Sequence, residues 1–176
     1  LISFDHQDNI VIQSIENSKK NKLINNFIRR NHPGLVVFTS GSTGEPKGIL
    51  HDCEQVMYKF IGKRDGWKTI LFLLIDHFGG FNTLLSSFAY GGTAICIPDR
   101  KPETICQIIE KTKATLLPTT PTFINILIAS RSYQKYDLSS IKLITYGTEV
   151  MPESTLIKVK EIFPDAKIKQ TYGLSE

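Results

Sequence analysis

The chain has 176 residues, 41% hydrophobic and 22% charged, with 12 glycines and 8 prolines. That balance excludes a disordered, collagen-like or disulfide-stapled chain and suffices for one compact core. Against 17 acidic residues stand 21 basic ones, a net charge of +4 with no long basic block, too mild to argue for nucleic acid and equally suited to an anionic small ligand.

The longest purely apolar run, residues 70–75, falls far short of the ~20 residues of a membrane-spanning helix, so no transmembrane segment is expected. The three cysteines, Cys53, Cys96 and Cys106, lack CxxC spacing. Cys96 and Cys106 sit in apolar-patterned segments, where reduced, buried thiols are expected. A reducing, cytoplasmic setting follows as an expectation. The chain opens without an initiator methionine or a signal-peptide pattern, which reads as a piece of something longer.

Residues 1–33 read as a lead-in: a strand or loop around Ile10, Val11 and Ile12, then a helix carrying Leu23, Ile24, Phe27 and Ile28 at helical spacing. From residue 34 onward, short β-branched or apolar runs alternate with 3.6-period segments, the pattern of an α/β fold with a mostly parallel sheet flanked by helices. Strands are expected at residues 35–39, 69–74, 93–97, 115–117, 141–145 and 167–171. Helical stripes are Val56, Met57, Phe60 and Ile61; Phe81, Leu84, Leu85 and Phe88; Ile105, Ile108 and Ile109; Phe123, Ile124 and Leu127; and Leu156, Val159, Ile162 and Phe163. No solenoid-period repeat or low-complexity tract interrupts this order.

The most informative stretch follows the first of these apolar strands. Thr39, Ser40, Gly41, Ser42, Thr43, Gly44, Glu45, Pro46, Lys47 and Gly48 form a loop rich in hydroxyls and glycines. Glycines there let several backbone N–H groups converge on one anion, the hydroxyls add uncharged donors, and Lys47 supplies a cation. The set suits a polyphosphate. A Walker A loop is excluded, because Lys47 is preceded by Pro46 and followed by Gly48 instead of a metal-binding hydroxyl.

These ten residues resemble the phosphate-binding signature of the adenylate-forming (AMP-binding) enzymes: acyl-CoA synthetases, peptide-synthetase adenylation domains and luciferases. Two further segments resemble the same family in the same order. Residues 143–152, with Gly147, Thr148 and Glu149 after a strand, are similar to its adenine-binding turn, although the family more often has glycine where Thr148 stands. Residues 170–176 resemble the motif in which an aromatic ring, here Tyr172 beside Gly173, stacks on adenine. In that motif a hydroxyl residue, here Ser175, meets the α-phosphate and a glutamate, here Glu176, holds Mg²⁺. A tyrosine face and a hard carboxylate oxygen suit those roles chemically.

His77, with Phe78 beside it, falls where the family lines its acyl pocket. A purely structural loop histidine is the competing reading, and His6, His32 and His51 read as surface or structural. Pro118, Thr119, Thr120 and Pro121 resemble a family turn into a helix near the substrate, with Thr120 as cap and Pro121 first in the helix; a purely structural turn fits equally.

The resemblance implies a carboxylic acid and ATP as substrates, with Mg²⁺ and, as thiol acceptor, coenzyme A. Phosphate-binding residues would be Thr39, Ser40, Gly41, Ser42, Thr43, Gly44, Lys47 and Ser175. Adenine-binding residues would be Gly147, Thr148, Glu149, Tyr172 and Gly173, with His77 and Phe78 at the acyl pocket and Glu176 on the metal. Residues 34–176 are expected to form part of the family's large amino-terminal ATP-binding domain, with the carboxyl-terminal domain and its adenylation lysine absent. The expected function is that of a fragment of an ATP-dependent acid:CoA ligase, a weak catalyst or none alone, self-associating through surface left by the missing parts. An amino-acid adenylation domain and a non-catalytic nucleotide-binding scaffold are the alternatives.

Overall fold

In the computed structural model, which describes residues 2–4, 6–7, 9–12, 21–39 and 44–173, the alternating runs become a parallel sheet. Its strands are β5 (Lys68–Ile70), β6 (Thr93–Ile95), β7 (Leu116–Thr119), β8 (Leu143–Tyr146) and β9 (Lys167–Gln170). Their spatial order is β6-β5-β7-β8-β9, and each neighbouring pair is parallel. The helices between them are α3 (Phe78–Ala89), α4 (Pro102–Thr112), α5 (Pro121–Ser130) and α6 (Glu153–Ile162). The α/β expectation stands.

The order fixes the layering. From β5 the chain moves one way to β6, then returns across β5 to β7 and continues to β8 and β9. Right-handed crossovers therefore put α4, α5 and α6 on one face and α3 on the other. In agreement, α5 packs against both α4 and α6. The core lies on that side: Ile70, Leu117 and Ile144 from the strands meet Ile105, Ile109, Ile124, Leu127 and Val159 from the helices, all at 1% exposure or less. Each fully buried aliphatic side chain of this size contributes roughly 1.5–3 kcal/mol relative to exposure. The direction of travel reverses between β5 and β7, and a crevice at the carboxyl ends of strands flanking such a reversal is where open α/β sheets bind ligands.

Preceding the sheet are two antiparallel pairs and two helices. β1 (Ile2–Phe4) pairs with β2 (Ile10–Ile12), and β3 (Gly34–Thr39) pairs with β4 (Lys47–Asp52). The helices are α1 (Lys22–Arg29) and α2 (Cys53–Tyr58). Among the described residues no helix is long and apolar enough to cross a membrane.

Three expectations need correction. The strand at residues 35–39 belongs to the antiparallel β3–β4 hairpin and not to the parallel sheet. Its partner β4 was unforeseen because Lys, Gly and Asp are poor strand formers and only Ile49 and Leu50 are apolar; pairing with β3 makes it a strand. The run at residues 69–74 gives a strand only to Ile70, after which Phe72 turns inward into the core. Cys96 lies just past the end of β6 and is exposed, whereas Cys106 is buried on α4 as expected.

Candidate functional site

The hydroxyl-rich loop is held by the β3–β4 hairpin. Thr39 and Lys47 are its last paired residues, so their side chains share one face at close range. Along that face lie Val37, which is buried, and Ile49, half-buried. On the other face Phe38 is 65% exposed, and its ring edge covers Gly48. Lys47 is exposed and Gly44 takes φ +85°, a left-handed conformation that glycine adopts without strain. Ser40, Gly41, Ser42 and Thr43 lie outside the described residues.

The base of the hairpin is tied down by groups the sequence gave no spacing signal for. His32 Nδ1 lies 3.1 Å from Asp52 Oδ2, and its Nε2 lies 2.8 Å from Glu54 Oε2. Asp52 also caps α2, accepting from the Glu54 N–H at 2.9 Å. The hydrogen bond from His32 holds the Asp52 carboxyl below its ordinary value. An Asp ahead of an apolar stripe is a helix-start signature, so the cap, unlike the histidine, was open to sequence reading.

At the carboxyl end of β8, Tyr146 is buried and Gly147 runs against the exit of β9. The Thr171 N–H donates to the Tyr146 carbonyl at 2.7 Å, and the Thr171 hydroxyl donates to the same oxygen at 3.1 Å. Thr148 follows at φ +69°, a conformation costing a β-branched residue roughly 1–2 kcal/mol. Its hydroxyl donates to the Gly147 carbonyl at 2.6 Å. The Glu149 carboxylate is turned toward α5, accepting from Thr122 Oγ1 at 2.7 Å. Beyond Thr171, Tyr172 is 92% exposed, and among the described residues no atom beyond its chain neighbours lies within 4 Å of a Cβ built on Gly173. Ser175 and Glu176 lie outside the described residues.

At the reversal point, Thr120 caps α5, its hydroxyl accepting from the Phe123 N–H at 3.2 Å with Pro121 in the first turn, as the sequence implied. Beside it, Thr119 Oγ1 is buried at the end of β7 without a hydrogen-bond partner among the described residues. The segment after β5 packs over this turn through Phe72 and Phe123, ring centroids 4.5 Å apart. That segment ends at His77, which is exposed at the N-cap of α3 and makes no side-chain cap bond. Phe78 is stacked on His51 of β4 at 4.5 Å, with Lys59 Nζ 4.9 Å from its ring centre. Burial lowers the Lys59 pKa from its ordinary value.

The structure thus gathers Gly147, Thr148, Glu149, Tyr172 and Gly173 at the ends of β8 and β9. It brings Thr39 and Lys47 together at the hairpin tip and sets Phe78 against the hairpin's base. Backbone turns, an exposed tyrosine face and the exposed Lys47 have the chemistry to hold a nucleotide by geometry more than by charge.

This is the arrangement of an open α/β protein whose candidate site lies at the carboxyl ends of its parallel strands. Residues 3–176 match the AMP-binding enzyme family, and the chain belongs to it. It is 32% identical over 159 residues to acyl-CoA synthetase 7 of Caenorhabditis elegans, covering 81% of this chain and 29% of that protein. It is 29% identical over 160 residues to 4-coumarate-CoA ligase 1 of Narcissus pseudonarcissus, covering 82% of this chain and 29% of the relative. Among solved structures, the luciferase-like enzyme of the nonluminescent mealworm Zophobas morio superposes with a TM-score of 0.70 at 30% identity, covering 80% of this chain and 34% of that one. The chain therefore spans about 29% of the length of these curated relatives.

Proposed function

We propose that this chain forms the central nucleotide-binding part of an ATP-dependent carboxylic acid:CoA ligase. The observation that carries the reading is the meeting of β8 and β9 at Gly147 and Thr171, which brings the turn after β8 against the strand exit that leads into exposed Tyr172. Coenzyme A ligases among its relatives support the reaction class.

In this reading Tyr172 and the Gly147–Glu149 turn take the purine. Lys47, with Thr39, Ser40, Gly41, Ser42, Thr43 and Gly44, grips the phosphates, and Ser175 meets the α-phosphate. A carboxylate oxygen of the acid bonds to the α-phosphorus while the bond to the β-phosphate breaks, and pyrophosphate leaves with the electron pair. The thiolate of coenzyme A then attacks the acyl carbonyl, forming the thioester and releasing AMP. Glu176, a hard oxygen donor, has the donor chemistry for Mg²⁺, which when bound neutralises phosphate charge. His77, exposed where the segment after β5 ends, faces the acid.

The test is calorimetric titration of the chain with Mg·ATP, with Lys47→Ala and Tyr172→Ala alongside. Binding weakened about tenfold or more by each substitution is expected. Binding indifferent to both would overturn the site. A panel of fatty, aryl and amino acids offered in the presence of ATP then sorts the acid, with Asp76, exposed beside His77, as the group an amino acid's ammonium would seek.

A further inference from the structure

Between the end of β8 and the start of α6, residues 147–152 have few anchors. Tyr146 is tied to β9, Met151 is buried, and between them Thr148, Glu149 and Val150 are all exposed, Val150 by 85%. Among the described residues, the side-chain bond joining this stretch to another element is the one from Thr122 to Glu149.

Thr122 is well placed to make it. It is the second residue of α5, after Pro121, so its hydroxyl has no helical carbonyl one turn back to bond and is free to donate outward. The partner is a carboxylate lying at the amino-terminal end of a ten-residue helix, where the helix dipole favours negative charge. One turn further along the same face, Asn125 Oδ1 accepts from Thr155 Oγ1 of α6 at 2.9 Å. Residues 122 and 125 share a face of the helix, so α5 grips the β8–α6 unit at two points, one within the turn at Glu149 and one just after it at Thr155. α5 is rigid for this purpose, because Phe123, Ile124 and Leu127 are buried in the core. The held turn includes Thr148 at φ +69°, which the isolated sequence would not favour.

We propose that Thr122 is a positioning residue of the nucleotide site: by holding the Glu149 carboxylate it fixes the Gly147–Thr148 backbone in the form that receives the purine. The inference rests on the reading of that turn as the purine site. It also reassigns Glu149: its carboxylate serves the turn by binding Thr122 and leaves the purine contact to the backbone. Thr122 touches no substrate and acts through Glu149.

The experiment compares Thr122→Val, which keeps the shape and removes the hydroxyl, with Thr122→Ser, which keeps the hydroxyl, in the full chain. Two probes are titrated calorimetrically: Mg·ATP, and Mg·tripolyphosphate, which has phosphates but no purine. Thr122→Val should weaken Mg·ATP about five- to tenfold and leave Mg·tripolyphosphate unchanged, and Thr122→Ser should restore most of the loss. In a Glu149→Ala background, Thr122→Val should have no further effect. Equal weakening of both probes would mark a general loss of structure and overturn the proposal, as would unchanged Mg·ATP binding by Thr122→Val. If the unsubstituted chain binds tripolyphosphate but gains nothing from the purine, the purine reading itself fails and takes this inference with it.

Discussion

A Cβ atom placed on Gly147 would lie 2.8 Å from Thr171 Oγ1 and 3.0 Å from the Thr171 carbonyl oxygen. The exits of β8 and β9 therefore approach each other at a distance only glycine allows. Thr171 cannot simply rotate away, since its hydroxyl and its N–H are both committed to the Tyr146 carbonyl. Gly147→Ala should cost about 1–3 kcal/mol, the usual range for overpacking, read as a lower urea midpoint with an unchanged slope. Because Tyr172 directly follows that contact in the chain, Mg·ATP affinity should fall in parallel on the proposed reading of the site. A variant as stable as the parent would show that the two strand ends separate freely.

Thr148 makes the opposite prediction. At φ +69° a β-branched residue is strained, and glycine removes the strain at the expense of a more flexible unfolded chain and the Thr148 hydroxyl bond to Gly147. The conformational gain is the larger, so Thr148→Gly should stabilise by up to about 1 kcal/mol. Thermal melting checks the sign.

The sheet was legible because its strands and helices are local: each apolar run and each stripe announces itself within about ten residues. The Thr120 and Pro121 helix start was legible for the same reason. What escaped was made by partners distant in sequence. β4 is a strand only because β3 lies beside it, and its own residues read as a loop exit. His32 meets Asp52 across 20 positions, and Thr122 meets Glu149 across 27. Such pairs leave no periodic trace, since a side-chain bond depends on where two elements cross. Cys96 escaped for a subtler reason: β6 ends at Ile95, so Cys96 falls just beyond the strand, and in extended chain neighbouring residues face opposite sides, so an apolar neighbour argues against burial as readily as for it.

The cysteines provide a chemical readout of that correction. Burial raises the Cys106 pKa to about 12, and its side chain is wholly enclosed on α4. Only the thiolate reacts readily with alkylating agents. At pH 8, iodoacetamide should modify exposed Cys96 first and half-buried Cys53 more slowly, leaving Cys106 untouched until denaturant is added. Mass spectrometry of the digested protein resolves the three sites. Early modification of Cys106 would mean that α4 separates from the sheet in the native state.

Acid stability is set in part by carboxylates with strong partners. Asp137 accepts from Lys113 Nζ at 2.8 Å and from Ser139 through both hydroxyl and N–H. These bonds, led by the one from Lys113, hold its carboxyl well below the ordinary value of 3.8. A group depressed in the folded state stabilises fully above its unfolded pKa and loses that contribution as pH falls toward its folded one. The Asp137 contribution should therefore be intact above about pH 5 and shrink steadily as the pH drops below that. Asp137→Asn should lower the urea midpoint at pH 7, and the gap from the parent should close on acidification. Because both partners are about half exposed, added salt should narrow the gap at pH 7 as well. A gap that stays constant from pH 7 to pH 2 would assign the loss to packing around residue 137 instead of to its charge.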